Sequence, residues 1–220
     1  MKVCYEDNHI IIVYKPRNLL SQKDYTNDSS LVEEVKEYLK NKYNKPGNVY
    51  LGLLHRLDRV VGGIMLLAKT SKAAERLSKD IQNHKINKTY LAVVRDNNLK
   101  ENDTFIDYIL KKDTNSIIDK NGKYSKLDYQ VLERYQNYAL VKISLETGRH
   151  HQIRLQFSSR NHPIYGDYRY GNKEKGGIAL MCYSLEFIHP VTKEYMKFSY
   201  IDKEDISAIF NNFKFIQKEQ

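Results

Sequence analysis

Residues 52–70 read GLLHRLDRVVGGIMLLAKT. Three ionisable residues, His55, Arg56 and Asp58, stand in a stretch dominated by apolar side chains, ahead of two glycines and the run IMLLA (64–68). VYLGLLHRLD (49–58) reads as extended chain, and GGIMLLAK (62–69) as a second apolar, strand-like run. In extended chain Arg56 and Asp58, two positions apart, share a face. A carboxylate and a guanidinium at the edge of an apolar run are either a local ion pair, which contributes little where solvent reaches it, or part of a site.

Outward from this stretch, strands and helices interleave irregularly. HIIIVYKP (9–16) is rich in β-branched residues, stops at a proline and reads as a buried strand. NLLSQKDYTNDSS (18–30) reads as a loop, and Ser29 or Ser30 caps a helix, SLVEEVKEYLKNKY, with Leu31, Val35, Tyr38 and Leu39 on one face. KPGN (45–48) is a turn by composition. Thr70 or Ser71 caps a second helix, SKAAERLSKDIQNHK, with Ala74, Leu77 and Ile81 at helical spacing. KTYLAVVRD (88–96) reads as a strand, and the polar segment 111–126 as an exposed loop or hairpin tip. LDYQVLERY and YALVKISLE flank Gln136-Asn137 as the clearest hairpin of the chain. RHHQIRLQF (149–157) is ambiguous, since Ile153, Leu155 and Phe157 alternate as in a strand while Ile153 and Phe157 also satisfy i,i+4. SRNHPIYGDYRYGN (159–172) is turn-rich, IALMCYSLEFIHP (178–190) is strand-like, and KEYMKFSY (193–200) closes the sheet. This pattern predicts an α+β fold, a mixed and largely antiparallel central sheet with flanking helices, in a single domain spanning 1–220.

Composition narrows the partners. The chain has 220 residues, 41% of them hydrophobic, enough for a substantial core. The net charge of +9 favours an anionic partner, nucleic acid first and an anionic membrane second. Tyrosine, present 18 times against no tryptophan, can stack on bases but also fills cores, and most of the 18 are read as structural. Two cysteines, Cys4 and Cys182, are too few for a disulfide framework, which fits a reducing cytoplasm. The N-terminus lacks the pattern of a signal peptide, and no apolar run approaches the 18 residues of a membrane span, so no membrane role is expected.

Several chemistries find no support. His55, His150, His151, His162 and His189 form no HExxH and pair with no CxxC, and neighbours such as His150 and His151 face opposite sides of a regular strand. No metal is expected. Walker and GxGxxG loops and a GxSxG elbow are absent, and Gly62-Gly63 and Gly176-Gly177 are weak signals that suit tight turns. What remains is a carboxylate, arginines and tyrosines. TGRHHQIR (147–154) places Arg149 and Arg154 after a strand end, where they suit phosphate or carboxylate pairing; taken alone the segment is equally a solvated basic loop.

HRLD…GG, KTY, TGRHHQIR, HPIYGD and LEFIHP, in this order, resemble the RluA-type family of RNA pseudouridine synthases, from HIIIVYKP to about Phe198. The resemblance implies isomerisation of specific uridines in structured ribosomal or transfer RNA to the C-glycoside. It implies that Asp58 is the catalytic carboxylate, that Tyr90 stacks on the target base, and that Arg154 pairs with that aspartate. It also implies that Arg56 helps displace the flipped nucleotide, and that His55, Gly148, Arg149 and Gln152 are structural or RNA-contacting. The target base must leave its stack to be reached. Apolar walls disfavour a charged carboxylate, and a nearby arginine opposes that effect. A carboxylate–arginine pair at the mouth of an apolar pocket therefore suits the chemistry. The expected enzyme needs no cofactor and works as a monomer.

The chain departs from the family's usual HRLDxxTSG, with Val61 and Gly62 in place of Thr and Ser, so hydrogen bonding of the loop after Asp58 must differ. His150 stands where Thr or Ser is usual, and Leu180-Met181-Cys182 where Leu-His-Ala is common. The chain is expected to act without the small S4 RNA-binding domain that many relatives carry. Two rival functions remain: a non-catalytic RNA-binding protein on the same scaffold, and a glycosidase or nucleosidase. The latter class commonly uses two flanking acids, and HRLD offers one.

Overall fold

The computed structural model describes residues 1–171 and 174–219. In chain order the elements are β1 (Lys2–Glu6), β2 (Ile10–Lys15), α1 (Leu31–Lys42), β3 (Gly52–Leu53), β4 (Gly62–Ala68), α2 (Ser71–Gln82), β5 (Asn87–Arg95), β6 (Asn102–Lys112), β7 (Asn115–Ile118), β8 (Lys123–Tyr135), β9 (Tyr138–Leu145), α3 (Gln152–Ser158), β10 (Leu180–Ile188), β11 (Tyr195–Ser199) and α4 (Lys214–Glu219), with a 3-10 turn at Ala208–Asn212 before α4. The fold is α+β, and the pairs β1–β2, β2–β4, β3–β4, β10–β11, β5–β9, β8–β9, β6–β8 and β6–β7 are antiparallel. The chain divides into two compact units, one of residues 1–87 and 182–200, the other of 88–181 and 201–220.

In the first unit β2 lies between β1 and β4, antiparallel to both. β10 follows β4, with β11 antiparallel to β10, and β3 pairs with β4. Every residue of β2 and β4 is buried, as continuous apolar runs without alternation require when both faces of a sheet are covered. Gly62-Gly63 open β4, as the strand-like reading of 62–69 has it, rather than forming a turn of their own. Gly63 has φ +138, and a Cβ there would lie 2.5 Å from the backbone nitrogen of Cys182. The glycine is needed because neighbouring backbone comes too close for a side chain.

The two helices of this unit bury Leu31, Val35 and Leu39 from α1 and Ala73 and Leu77 from α2. Thr70 caps α2, its hydroxyl accepting from Ala73 N at 3.2 Å. α1 starts differently: Ser30 is its N-cap without a side-chain cap, and the N–H groups of Leu31 and Val32 donate to the carbonyls of Leu20 and Ser21 at 2.8 and 3.3 Å. The orphan donors of the helix start thus fasten the preceding loop to the helix.

In the second unit the strand order is β5-β9-β8-β6-β7. The β8–β9 hairpin turns at Gln136-Asn137, with Gln136 at φ 53 and Tyr135 opposite Tyr138. Segment 111–126 resolves into the ends of β6 and β8 with the short β7 between, so the edge strand β7 falls where a loop or hairpin tip was expected. RHHQIRLQF becomes helix α3, and 152–157 are all buried. Phe157 sits 5.0 Å from Phe105 and 5.3 Å from Tyr129, ring centre to ring centre, so tertiary packing of the i,i+4 face decides against the strand. The turn-rich reading of 159–172 holds through Gly171; residue 172 lies outside the described residues. Phe210, Phe213 and Ile216, from the C-terminal turn and helix that carry no strong sequence signal, are buried here too.

Candidate active site

Of the predicted site residues, His55, Arg56 and Asp58 belong to the first unit, and Tyr90, Arg149, Gln152 and Arg154 to the second. In the first unit, residues 54–58 run between β3 and β4 without regular structure. Asp58 is half-buried and Arg56 exposed. The carbonyl of Asp58 accepts Val61 N at 3.0 Å, which makes the turn into β4. His55 accepts the N–H of Leu66 on Nε2 at 3.1 Å. An acceptor nitrogen is unprotonated, so the ring is neutral with its proton on Nδ1. His55 therefore fastens this segment to β4.

The loop of residues 16–21 grips the same segment from the other side. Ser21, only 5% exposed, donates its hydroxyl to the carbonyl of Leu57 at 2.8 Å and accepts the N–H of Leu57 at 3.0 Å. Asn18 N donates to the carbonyl of Arg59 at 2.8 Å, and Arg59 Nε returns to the carbonyl of Asn18 at 3.2 Å. Lys15 is fully buried, its ammonium donating to the carbonyls of Pro16, Leu19 and Arg59 at 2.9, 2.7 and 3.2 Å. The residues on either side of Asp58 are thus held from the loop by hydrogen bonds. The segment Val60-Val61-Gly62 carries no hydroxyl of its own.

In the second unit Tyr90 lies on β5 opposite Ile143 and is 6% exposed. His151 sits in the left-handed region at φ 54, and α3 starts at the next residue. Gln152 is buried: its Oε1 accepts from Thr147 Oγ1 at 2.8 Å and Arg149 N at 3.0 Å, and its Nε2 donates to the carbonyl of Lys126 at 3.1 Å. Its amide therefore closes the 147–152 turn. Arg149 is exposed on that turn, and its Nε donates to the carbonyl of Tyr124 at 2.9 Å.

Arg154, on α3, donates Nε to Asp167 Oδ2 at 2.8 Å and Nη2 to Oδ1 at 2.7 Å. Burial by itself raises the Asp167 carboxyl, but the guanidinium and the backbone N–H groups of Arg169 and Tyr170 overcome this and hold it below the usual range. The Tyr170 ring centre is 5.3 Å from Arg154 Cζ, a cation–π distance. Two residues that sequence reasoning gave no role stand out here. Ser21 is one serine in a polar loop, with no local signal. Asp167 closes HPIYGD, and its position in that motif was the one available hint. Among the described residues no group of three or more His, Cys, Asp or Glu could hold a metal ion, and no helix is long and apolar enough to cross a membrane.

Solved structures place the fold first. Human RNA pseudouridylate synthase domain containing 4 matches with a TM-score of 0.76 at 19% identity, covering 91% of this chain and 88% of that one. Human RNA pseudouridylate synthase domain containing 1 matches with a TM-score of 0.71 at 22% identity, covering 91% and 83%. Residues 9–159 match the family described as RNA pseudouridylate synthase. The chain belongs to that family of isomerases. Among curated proteins, the uncharacterised RNA pseudouridine synthase YlyB of Bacillus subtilis (strain 168) is 31% identical over 222 residues, 97% of this chain and 73% of that protein. Ribosomal large subunit pseudouridine synthase D of Haemophilus influenzae is 29% identical over 97% of this chain and 71% of its own length. tRNA pseudouridine synthase C of Haemophilus ducreyi is 29% identical over 97% of this chain and 96% of its own length.

Proposed function

We propose that this pseudouridine synthase isomerises specific uridines in structured ribosomal or transfer RNA, with Asp58 as the catalytic carboxylate acting on a flipped-out base. One observation carries the reading: the family match over 9–159 contains HRLD, KTY and TGRHHQIR together, in the family's order. The names of the relatives, for large-subunit RNA and for tRNA, support both substrate classes. Tyr90 is the ring that stacks on the base, and Arg154 is the arginine that serves the catalytic carboxylate. Arg56, which is exposed, helps displace the flipped nucleotide, and Arg149, also exposed, contacts phosphate, while His55 and Gln152 position the segments that carry them.

Asp58 either attacks C1′ of the uridine or removes a sugar proton to release a glycal. The N1–C1′ bond breaks, uracil turns within the site and C5 bonds to C1′ as Asp58 is displaced or returns its proton to the sugar, and C5 then loses its proton while N1 takes one up. One glycosidic bond is exchanged for another, so the reaction calls for no redox partner, external energy source or metal. We read the whole chain as one catalytic domain, a match that runs through both units supporting this, and the protein as a cytoplasmic monomer.

The test is Asp58→Asn, which keeps shape and hydrogen bonding but removes the charge. Pseudouridine formation on unmodified ribosomal and transfer RNA transcripts should vanish while thermal unfolding and RNA affinity stay near wild type. A folded variant that still isomerises RNA overturns the assignment of Asp58. Wild-type protein that binds both transcripts and alters neither favours the RNA-binding scaffold instead, and free uracil in the products favours a nucleosidase.

A further inference from the structure

Asp58 lies on irregular chain, where a side chain is placed less exactly than on a helix or strand. Something must hold it. The preceding residue, Leu57, is 6% exposed, and both of its backbone hydrogen-bonding groups are taken by one side chain, the hydroxyl of Ser21. A serine hydroxyl can do this because it donates one hydrogen bond and accepts others. The Ser21 end is itself fixed. Its carbonyl accepts Val32 N at 3.3 Å, and that of Leu20 accepts Leu31 N at 2.8 Å, so the loop hangs from the first turn of α1.

We infer that Ser21 is a positioning residue for the reaction: its hydroxyl clasps the peptide groups of Leu57 and thereby fixes where the Asp58 carboxylate points. This rests on Asp58 being the catalytic carboxylate. The clasp acts one residue from the carboxylate, so a shift of Leu57 moves Asp58 directly. Misplacement of a reacting group by about 1 Å costs on the order of 100-fold in rate. The role is specific to the hydroxyl. An alanine fits the space but serves neither the N–H nor the carbonyl, whereas threonine keeps both bonds and adds one methyl group beside Met65, whose sulfur lies 3.7 Å from Ser21 Oγ.

The experiment compares wild type, Ser21→Ala, Ser21→Thr and Asp58→Asn on unmodified transcripts of large-subunit ribosomal RNA and of tRNA. It reads single-turnover pseudouridine formation, RNA affinity by titration, and amide hydrogen exchange of residues 54–60 in the free protein. For Ser21→Ala the expected result is a rate lower by roughly 10- to 100-fold. RNA affinity should stay within about twofold of wild type, and exchange should quicken at Leu57 while the α2 amides keep their protection. Ser21→Thr, if it folds, should recover most of the rate. If threonine does not fit, the alanine rate, affinity and exchange still decide the matter. An unchanged rate in Ser21→Ala, with Asp58→Asn inactive, overturns the positioning role and leaves the catalytic assignment standing. So does a rate loss matched by an equal loss of RNA affinity, or by faster exchange throughout the protein, because both describe a merely structural serine. If Asp58→Asn remains active, or wild type alters neither transcript, the catalytic reading fails and the inference falls with it.

Discussion

Arg154 and Asp167 form a buried two-point clamp, two guanidinium nitrogens on two carboxylate oxygens at 2.8 and 2.7 Å. Such a pair fixes the plane of the guanidinium as well as its place, which a single bond cannot do. Side-chain exposure is 7% for Arg154 and 0% for Asp167, so neither charge has water to fall back on. The aspartate therefore orients the arginine that the proposed chemistry needs.

Breaking that clamp from either side leaves a buried charge. Asp167→Asn should lower unfolding stability by roughly 3–5 kcal/mol. Arg154→Lys keeps the opposite charge but cannot reproduce the two parallel bonds, so it should cost less, roughly 1–3 kcal/mol. Urea denaturation of both variants measures this. A loss below about 1 kcal/mol in each would show that the clamp contributes no more than an exposed pair.

Glu6 gives the fold an acid limit. Its carboxylate accepts from Lys42 at 2.7 Å, Lys69 at 2.6 Å, Tyr43 at 2.7 Å and Tyr38 at 3.0 Å. Burial alone raises its pKa, but these donors prevail and bring it from the ordinary 4.5 to about 2. A pKa depressed in the folded state means that the stabilisation is fully present above the unfolded value and disappears as pH falls through the folded one. The expected loss is on the order of 2–3 kcal/mol between about pH 4.5 and 2. Glu6→Gln should flatten the stability curve in that window, as thermal unfolding at a series of pH values would read. An unaltered slope rules the network out as its source.

For Tyr90 the ring should matter more than the hydroxyl. Tyr90→Ala should lose roughly 1–3 kcal/mol of binding to the target nucleotide, and Tyr90→Phe little. Affinity and single-turnover rate on the same RNA separate the two. A phenylalanine variant as inactive as alanine assigns the hydroxyl a chemical part.

Net charge sets the salt dependence of binding. With a formal +9, RNA affinity should fall by orders of magnitude between about 50 and 200 mM salt. Arg149→Ala should lessen the slope of log affinity against log salt by about one phosphate contact, and Gln152→Ala should reproduce part of that loss by loosening the Arg149 turn. Filter binding across a salt series checks both, and affinity that ignores salt is incompatible with backbone recognition.

Much of the fold is legible in the chain because local pattern suffices for it. The buried β2 and β4, the helices α1 and α2 and the β8–β9 hairpin follow from apolar runs, helical spacing and turn composition, although of the two expected caps only Thr70 makes its bond. β1, the long β6 and the C-terminal helix escape such reading. β1 is short, β6 alternates with exposed Ile106 and Tyr108 on its outer face, and α4 is one and a half turns held by Phe213 and Ile216. α3 could not be chosen over a strand from residues 149–157, since both periods fit and only the packing of Phe157 on Phe105 and Tyr129 separates them.

The sequence by itself determined the family, through HRLD, KTY, TGRHHQIR and HPIYGD in order, and with it the residues that carry the proposed chemistry. Tertiary structure decided how those residues are held. Ser21 lies 36 positions from Leu57, Lys15 lies 44 from Arg59, and Asp167 reaches Arg154 across 13. Each contact joins a buried polar group to a partner that no spacing rule connects. The cost of leaving such a group unpaired forces a partner to exist, but chain topology alone selects which residue it is.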